Sequence, residues 1–176
     1  MVARRVRYEI EGWGVGELWL GDGAVLAHEL ASPARGGSET PLGGANPPER
    51  TLTEVASRAG ANFVPNLVQR FHSHLTGDRS DYSDVPLDLS WCTPFQRALA
   101  QALRAVPWGE VVTYGELSAY AGRPLAARAA GTFCAENRFA LLLPCHRVVA
   151  ADGIGGYGPA GVGLKRRLLT LEGVTL

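Results

Sequence analysis

Cysteine is scarce in this chain. Cys92, Cys134 and Cys145 make three, an odd number without CxxC spacing, which argues against a disulfide framework and against a zinc knuckle. Long apolar runs are missing: no stretch approaches the ~18 residues that a membrane span needs. No apolar segment follows Met1-Val2-Ala3-Arg4-Arg5, so a signal peptide is not expected either. A soluble protein of a reducing cytoplasm, without a membrane partner, is the expectation. Lysine is almost absent, 16 of the 17 basic residues being arginine. Net charge is absent as a sum but not locally. Residues 1–92 carry 8 basic against 12 acidic side chains, −4, and residues 93–176 carry 9 against 5, +4. A basic C-terminal half suits a polyanion docking there, and ordinary charge scatter accounts for so small a difference equally well.

What is present begins with strands. Val6, Tyr8 and Ile10 alternate with charged neighbours, Leu18-Trp19-Leu20 follows, and Gly21-Asp22-Gly23 makes a turn into Val25–Leu30. Residues 31–50, rich in Gly, Pro, Ser and Ala, read as a loop, and 52–58 as a short helix. Val64, Leu67, Val68, Phe71 and Leu75 follow helical spacing up to Gly77. His72 and His74, two apart on that helix, point in different directions; they read as surface or boundary residues and poor metal chelators. The acidic segment 78–89 reads as a linker.

Thr93-Pro94-Phe95-Gln96 combines an N-cap, a first-turn proline and a capping-box glutamine. The helix it opens buries Phe95, Leu99 and Leu103 and stops at Pro107-Trp108-Gly109. Cys92 flanks this helix. Val111-Val112 reads as a short strand. Thr113-Tyr114-Gly115-Glu116 is a second capping box, and Pro124 is expected to start another helix running to about Asn137, with Cys134 in its core. The pair is a helix-turn-helix candidate. A last helix over 161–172 turns Leu164, Leu168 and Leu171 inward.

Two stretches carry chemistry. In Leu141-Leu142-Leu143-Pro144-Cys145-His146-Arg147-Val148-Val149 an apolar run ends in proline, presents a thiol beside an imidazole, and resumes with valines. Proline interrupts regular structure, and a histidine beside a cysteine can draw away its proton. A buried cysteine in a core strand fits the same residues. In Leu125-Ala126-Ala127-Arg128-Ala129-Ala130-Gly131 one long cation stands among small side chains. That suits close approach to a groove with Arg128 reaching beyond, or a tightly packed helix with Arg128 solvated.

Thr113-Tyr114, Ala127–Gly131, Asn137, Pro144–Val149, Gly156-Tyr157, Lys165 and Leu171-Glu172-Gly173 resemble, in order and near-spacing, the O6-alkylguanine-DNA alkyltransferases, also called methylated-DNA–protein-cysteine methyltransferases. The resemblance covers residues 86–174, and Pro-Cys-His-Arg-Val is its most specific part. It implies an α+β fold: an N-terminal ribonuclease-H-like α/β domain, placed at 1–88, and a mainly helical C-terminal domain with a winged helix-turn-helix, at 89–176.

The resemblance also implies an activity and assigns roles. Cys145 is the nucleophile that takes the alkyl group from O6 of guanine, His146 takes its proton through a water, and Glu172 orients the imidazole. Tyr114 supplies a proton or hydrogen bond to the departing guanine, and Asn137 braces the active-site turn. The family flips the nucleotide out and fills the gap with the arginine matching Arg128, helix in the minor groove, with Tyr114, Ala127, Ala129 and Gly131 at the DNA surface. Val148, Tyr157, Gly158 and Lys165 line the substrate site, and 153–158 form one wall of the alkyl pocket. The expected partner is double-stranded DNA containing O6-alkylguanine, bound by a monomer. A thioether is not reversed by thiol exchange and no cofactor motif is visible, so one turnover per molecule, without cofactor, is implied.

The chain departs from the family at Arg138, where proline is common, and at Gly158-Pro159-Ala160. The first leaves either a looser brace or an added phosphate contact; the second bears on pocket size. Relatives that bind zinc do so in the N-terminal domain, where this chain offers no cysteine before Cys92 and only His28, His72 and His74, so no metal is expected. Three alternatives belong to other classes. A non-catalytic reader of alkylated DNA would lack Cys145, a helix-turn-helix regulator would not need Cys145-His146 with Glu172, and a thiol redox enzyme would want a resolving cysteine.

Overall fold

The computed structural model describes residues 3–32 and 62–176; the expected helix at 52–58 and all of the expected 31–50 loop beyond Ser32 lie outside them. The chain opens with an antiparallel sheet ordered β1 (Arg4–Ile10), β2 (Gly14–Gly21) and β3 (Ala24–Ser32). Alternation works as the sequence predicts. Val6, Tyr8 and Ile10 point into the core, paired through a register that sets Val6 opposite Leu18 and Tyr8 opposite Gly16. The β2–β3 turn is tight because Asp22 and Gly23 both take positive φ, +48° and +85°, as an Asp-Gly hairpin requires.

Helix α1 (Phe63–Leu75) lays Val64, Leu67, Phe71 and Leu75 on this sheet. His72 is exposed as expected, but His74 is fully buried, which corrects its reading as a boundary residue. It stands three residues after Phe71 and seven after Leu67, on the buried stripe itself. The segment that follows is irregular without being a free linker. Tyr82 and Val85 are buried, Arg70 forms an ion pair with Asp84 at 2.6 Å, and Leu87 bridges to Val25 of β3.

Helix α2 (Pro94–Arg104) starts at the expected capping box, Thr93 and Gln96 each satisfying the other's backbone N–H. Strand β4 (Val112–Thr113) is one residue later than expected and pairs in parallel with β5 (Val148–Val149). Helix α3 (Tyr114–Tyr120) is capped by Thr113 and Glu116. Helix α4 (Ala127–Ala135) begins three residues after Pro124. Pro124 lies instead in the connecting turn, closed by the Ala126 N–H on the Arg123 carbonyl at 3.0 Å, and so heads no helix. Helix α5 (Gly161–Leu171) closes the fold. One continuous core runs from Val6, Ile10 and Phe71 through Leu99, Leu117 and Phe133 to Leu168, and it holds the apolar run that leads to Cys145.

Candidate active site

The segment between α4 and β5 is held in a conformation that few chains would adopt alone. Leu141, a non-glycine residue, sits at φ +64°, a strain that persists only where surroundings over-determine it. They do here. Leu141, Leu142 and Leu143 are buried. From β3, the His28 N–H donates to the Arg138 carbonyl at 2.7 Å, and the His28 carbonyl accepts from the Ala140 N–H at 3.3 Å. The buried His28 ring adds an Nδ1–H bond to the Ala140 carbonyl, 2.5 Å, and accepts from the Tyr8 hydroxyl at Nε2, 2.5 Å. Arg138, one of the expected departures, stacks its guanidinium 4.5 Å over Trp91, so it adds an anchor to the segment ahead of α2.

Asn137 ties the turn to the thiol. Its Nδ2 donates to the Leu143 carbonyl and to Cys145 Sγ, both at 2.9 Å, and its Oδ1 accepts from the Phe139 N–H at 2.9 Å. Cys145 opens a single 3-10 turn, Cys145–Arg147, and is 6% exposed. Burial pushes its thiol up, while Asn137, Lys165 and the nearby Tyr157 hydroxyl oppose that shift. The resting group is a thiol, which must lose its proton to act as a nucleophile.

The acceptor stands next in sequence. Fully buried His146 has its pKa lowered to about 4, burial outweighing the opposing pull of Glu172. Its Nε2–H donates to Glu172 Oε1 at 2.8 Å. That leaves Nδ1 bare, and it is a buried nitrogen with no partner among the described residues. Burial alone would raise the Glu172 carboxyl, but the N–H groups of His146 and Arg147, with the His74 ring close by, hold it well below the usual carboxylate range. Arg147 grips it with Nε on Oε2, 2.8 Å, and Nη2 on Oε1, 2.9 Å, while Nη1 donates to the Val106 carbonyl at 2.7 Å. The site thus holds a neutral thiol, a neutral imidazole with a free lone pair, and an ionised carboxylate fixed behind it.

Around this centre the expected residues fall into groups. Tyr114, half-buried on α3, puts its hydroxyl 3.5 Å from the Gly156 carbonyl, and burial, with Cys134 and Cys145 adding to it, raises its pKa. The 153–158 loop packs on that ring: a Cβ at Gly155 would stand 3.3 Å from Tyr114 Cε2, and one at Gly158, itself at φ +50°, 3.0 Å from the Ala135 carbonyl oxygen. The Tyr157 hydroxyl is within hydrogen-bonding reach of Cys145, and withdrawal from solvent and that thiol push its pKa well up. Lys165 is buried, with Nζ donating to the Val148 carbonyl at 2.6 Å and the Gly156 carbonyl at 2.9 Å. It therefore staples β5 to the loop, and Val148 is fully buried with its carbonyl occupied. Arg128 and Ala129 are exposed on α4, Ala127 and Gly131 half-buried beside them; a Cβ at Gly131 would lie in ordinary contact, 3.9 Å, with Tyr114.

Two residues were not among those expected here. Arg147 lies within the cysteine motif itself. His74 arrives from α1, with Nε2 3.2 Å from Glu172 Oε1, although its N–H is not aligned well enough for a hydrogen bond. Its place on the apolar stripe was the available signal. The His74, His146 and Glu172 ligand atoms all lie within 4.8 Å of one another, a donor set that zinc accepts. Arg147 already occupies both carboxylate oxygens, and a guanidinium there opposes a dication.

Comparison with known proteins adds to this geometry. Residues 94–174 match the model of the 6-O-methylguanine DNA methyltransferase, DNA binding domain, family. The methylated-DNA–protein-cysteine methyltransferase of Metallosphaera sedula is 41% identical over 112 residues, 64% of this chain and 69% of the relative. That of Mycobacterium tuberculosis is 42% identical over 130 residues, 70% and 77%. Among solved structures, a variant of the M. tuberculosis O6-methylguanine methyltransferase superposes with a TM-score of 0.74 at 28% identity, covering 97% of this chain and 92% of that one. M. tuberculosis OGT in complex with DNA gives 0.73 at 27%, covering 97% and 93%.

Proposed function

Since this chain belongs to the methylated-DNA–protein-cysteine methyltransferase family, we propose that Cys145 is the atom-accepting centre of its DNA repair reaction, irreversible transfer of an alkyl group from O6 of guanine to the protein. The observation that carries the assignment is the relay behind the thiol: Cys145 held by Asn137, then His146 with a bare buried Nδ1, then Glu172 on its Nε2. The Cys145 proton passes to His146 Nδ1 through a water. Sulfur forms a bond to the alkyl carbon as the carbon–O6 bond breaks, and the bonding electrons stay on guanine. The Tyr114 hydroxyl supplies the hydrogen bond or proton that guanine then requires. The His146 imidazolium releases the thiol proton to solvent, and solvent reprotonates Tyr114 or guanine, so the net change is one proton moved from sulfur to the base. Imidazolium formed on the way is stabilised by ionised Glu172. The product is a thioether, which nothing in this scheme cleaves. Each molecule acts once.

The N-terminal sheet with α1, assigned to residues 1–88, suits the ribonuclease-H-like domain of the family. The α3–turn–α4 pair with β4 and β5, within 89–176, suits its winged helix-turn-helix. Exposed Arg128 among small residues supports double-stranded DNA as substrate, with α4 in the minor groove and Arg128 filling the space left by the flipped nucleotide. Ala127, Ala129 and Gly131 permit that approach. Tyr157, Gly158 and the Val148–Lys165 staple form the substrate wall. We place the protein in the cytoplasm as a monomer, a reading to which its three unpaired cysteines are suited; among the described residues no helix is long and apolar enough to cross a membrane.

The test incubates the protein with duplex DNA carrying labelled O6-methylguanine, beside Cys145→Ala, and follows the label by mass. One methyl per molecule, on Cys145 and absent from the variant, is expected. Tight lesion binding without transfer would make this a non-catalytic reader of alkylated DNA.

A further inference from the structure

We propose that His74 is a positioning residue for alkyl transfer: from the N-terminal half of the chain it holds the Glu172 carboxylate and limits how tightly that carboxylate retains the proton on His146. This rests on the relay assigned above. His74 is fully buried and its Nε2 lies 3.2 Å from Glu172 Oε1, the oxygen that also receives His146 Nε2 at 2.8 Å and Arg147 Nη2 at 2.9 Å. A bare lone pair facing an ionised carboxylate at that distance would be repelled, so Nε2 carries a proton. On the other edge of the ring Nδ1 lies 3.3 Å from the Tyr82 hydroxyl, whose single proton it shares with the Arg70 carbonyl at 3.2 Å, and Trp108 packs against the ring with centroids 4.7 Å apart.

The chemistry follows from the sharing of one oxygen. A carboxylate oxygen facing more donors is a weaker acceptor for each of them. The N–H of His74 draws charge from Oε1 and keeps His146 neutral, its Nδ1 open, until the thiol proton arrives. Without His74 the carboxylate would face His146 more strongly, and imidazolium would persist to higher pH. The groups facing this junction are Glu172 at the end of α5, His146 and Arg147 on the 3-10 turn, Arg70 on α1, and Tyr82 after it. Burial raises the pKa of Tyr82 and keeps it neutral, so the acid limb is assigned to His146.

The experiment measures the single-turnover rate of methyl transfer at saturating duplex DNA from about pH 5 to 8, with the melting temperature recorded for each variant. His74→Gln keeps an N–H near the position of Nε2; His74→Asn and His74→Leu do not. For His74→Asn and His74→Leu the acid limb is expected to move up by about one pH unit, giving transfer about twofold slower than wild type near pH 5 and equal to wild type near pH 8. His74→Gln is expected to follow the wild-type profile. A defect of the same size at every pH, or a Gln variant no better than Asn, would reduce His74 to a packing residue. If His74→Leu does not fold, the Gln–Asn comparison decides alone. Wild-type protein that transfers no methyl group would instead overturn the functional reading itself.

Discussion

Buried ionisable residues set the behaviour of this protein at the smallest scale. His28 and His146 are both fully buried with pKa values lowered to about 4, desolvation being the larger cause in each. A histidine depressed in the folded state binds its proton more readily when unfolded. Its contribution is complete above the ordinary value near 6.5 and is lost as pH falls from there through about 4. Depression of that size corresponds to roughly 3 kcal/mol per histidine. Glu172, also depressed, acts in the same direction below its ordinary value near 4.5. The melting temperature is therefore expected to drop steeply between about pH 6.5 and 4. His28→Gln should flatten that slope, at a cost in stability near neutrality from the lost ring bonds to Tyr8 and Ala140. Denaturation curves at several pH values check both. The sequence named His146 and Glu172 through their motifs. It gave no sign that His28 ties β3 to the active-site turn, because that contact joins residues 112 positions apart.

At the scale of elements, the docking role proposed for the α3–turn–α4 pair can be tested apart from the chemistry. The turn is longer and α4 shorter than its proline implies, leaving Leu125 100% exposed beside exposed Arg128. Arg128→Ala leaves the relay intact and removes no buried contact, so its stability should stay within about 0.5 kcal/mol of wild type. Transfer from duplex DNA should weaken by about 1–3 kcal/mol, while transfer from free O6-methylguanine base should be unchanged. Rates on the two substrates, measured side by side, distinguish a DNA-contact role from a chemical one. The capping boxes of α2 and α3 were legible because they are local, each closed within four residues. The start of α4 was not, since Pro124 suits a turn as well as a first helical position and only packing chooses between them.

At the scale of the molecule, the reaction is expected to weaken its own fold. Cys145 is 6% exposed, braced by Asn137 and beside Tyr157. A methyl group added to its sulfur must displace neighbours in a packed interior, at a cost of about 1–3 kcal/mol. The methylated protein is expected to melt several degrees below the unreacted one, a shift of the size that about 1–3 kcal/mol produces in a chain of this length. Calorimetry before and after stoichiometric reaction measures it; an unchanged melting temperature would show that the pocket already has room. Because one core spans both halves, the loss should appear as a single transition.

The sequence by itself determined the chemistry and the local structure. A thiol beside an imidazole after Pro144, strand alternation, Asp-Gly and the capping boxes are properties of neighbouring residues, and neighbours are what a sequence displays. Glu172, 26 residues beyond His146, was reached only through the family resemblance. Tertiary structure alone decided which groups share an environment. Arg147 closing on Glu172, His74 reaching the same oxygen from α1, Lys165 spent on two backbone carbonyls and the strained Leu141 held by β3 all depend on distant segments meeting in one desolvated interior. There, burial shifts each proton affinity and every donor must find an acceptor, and no local pattern records that constraint.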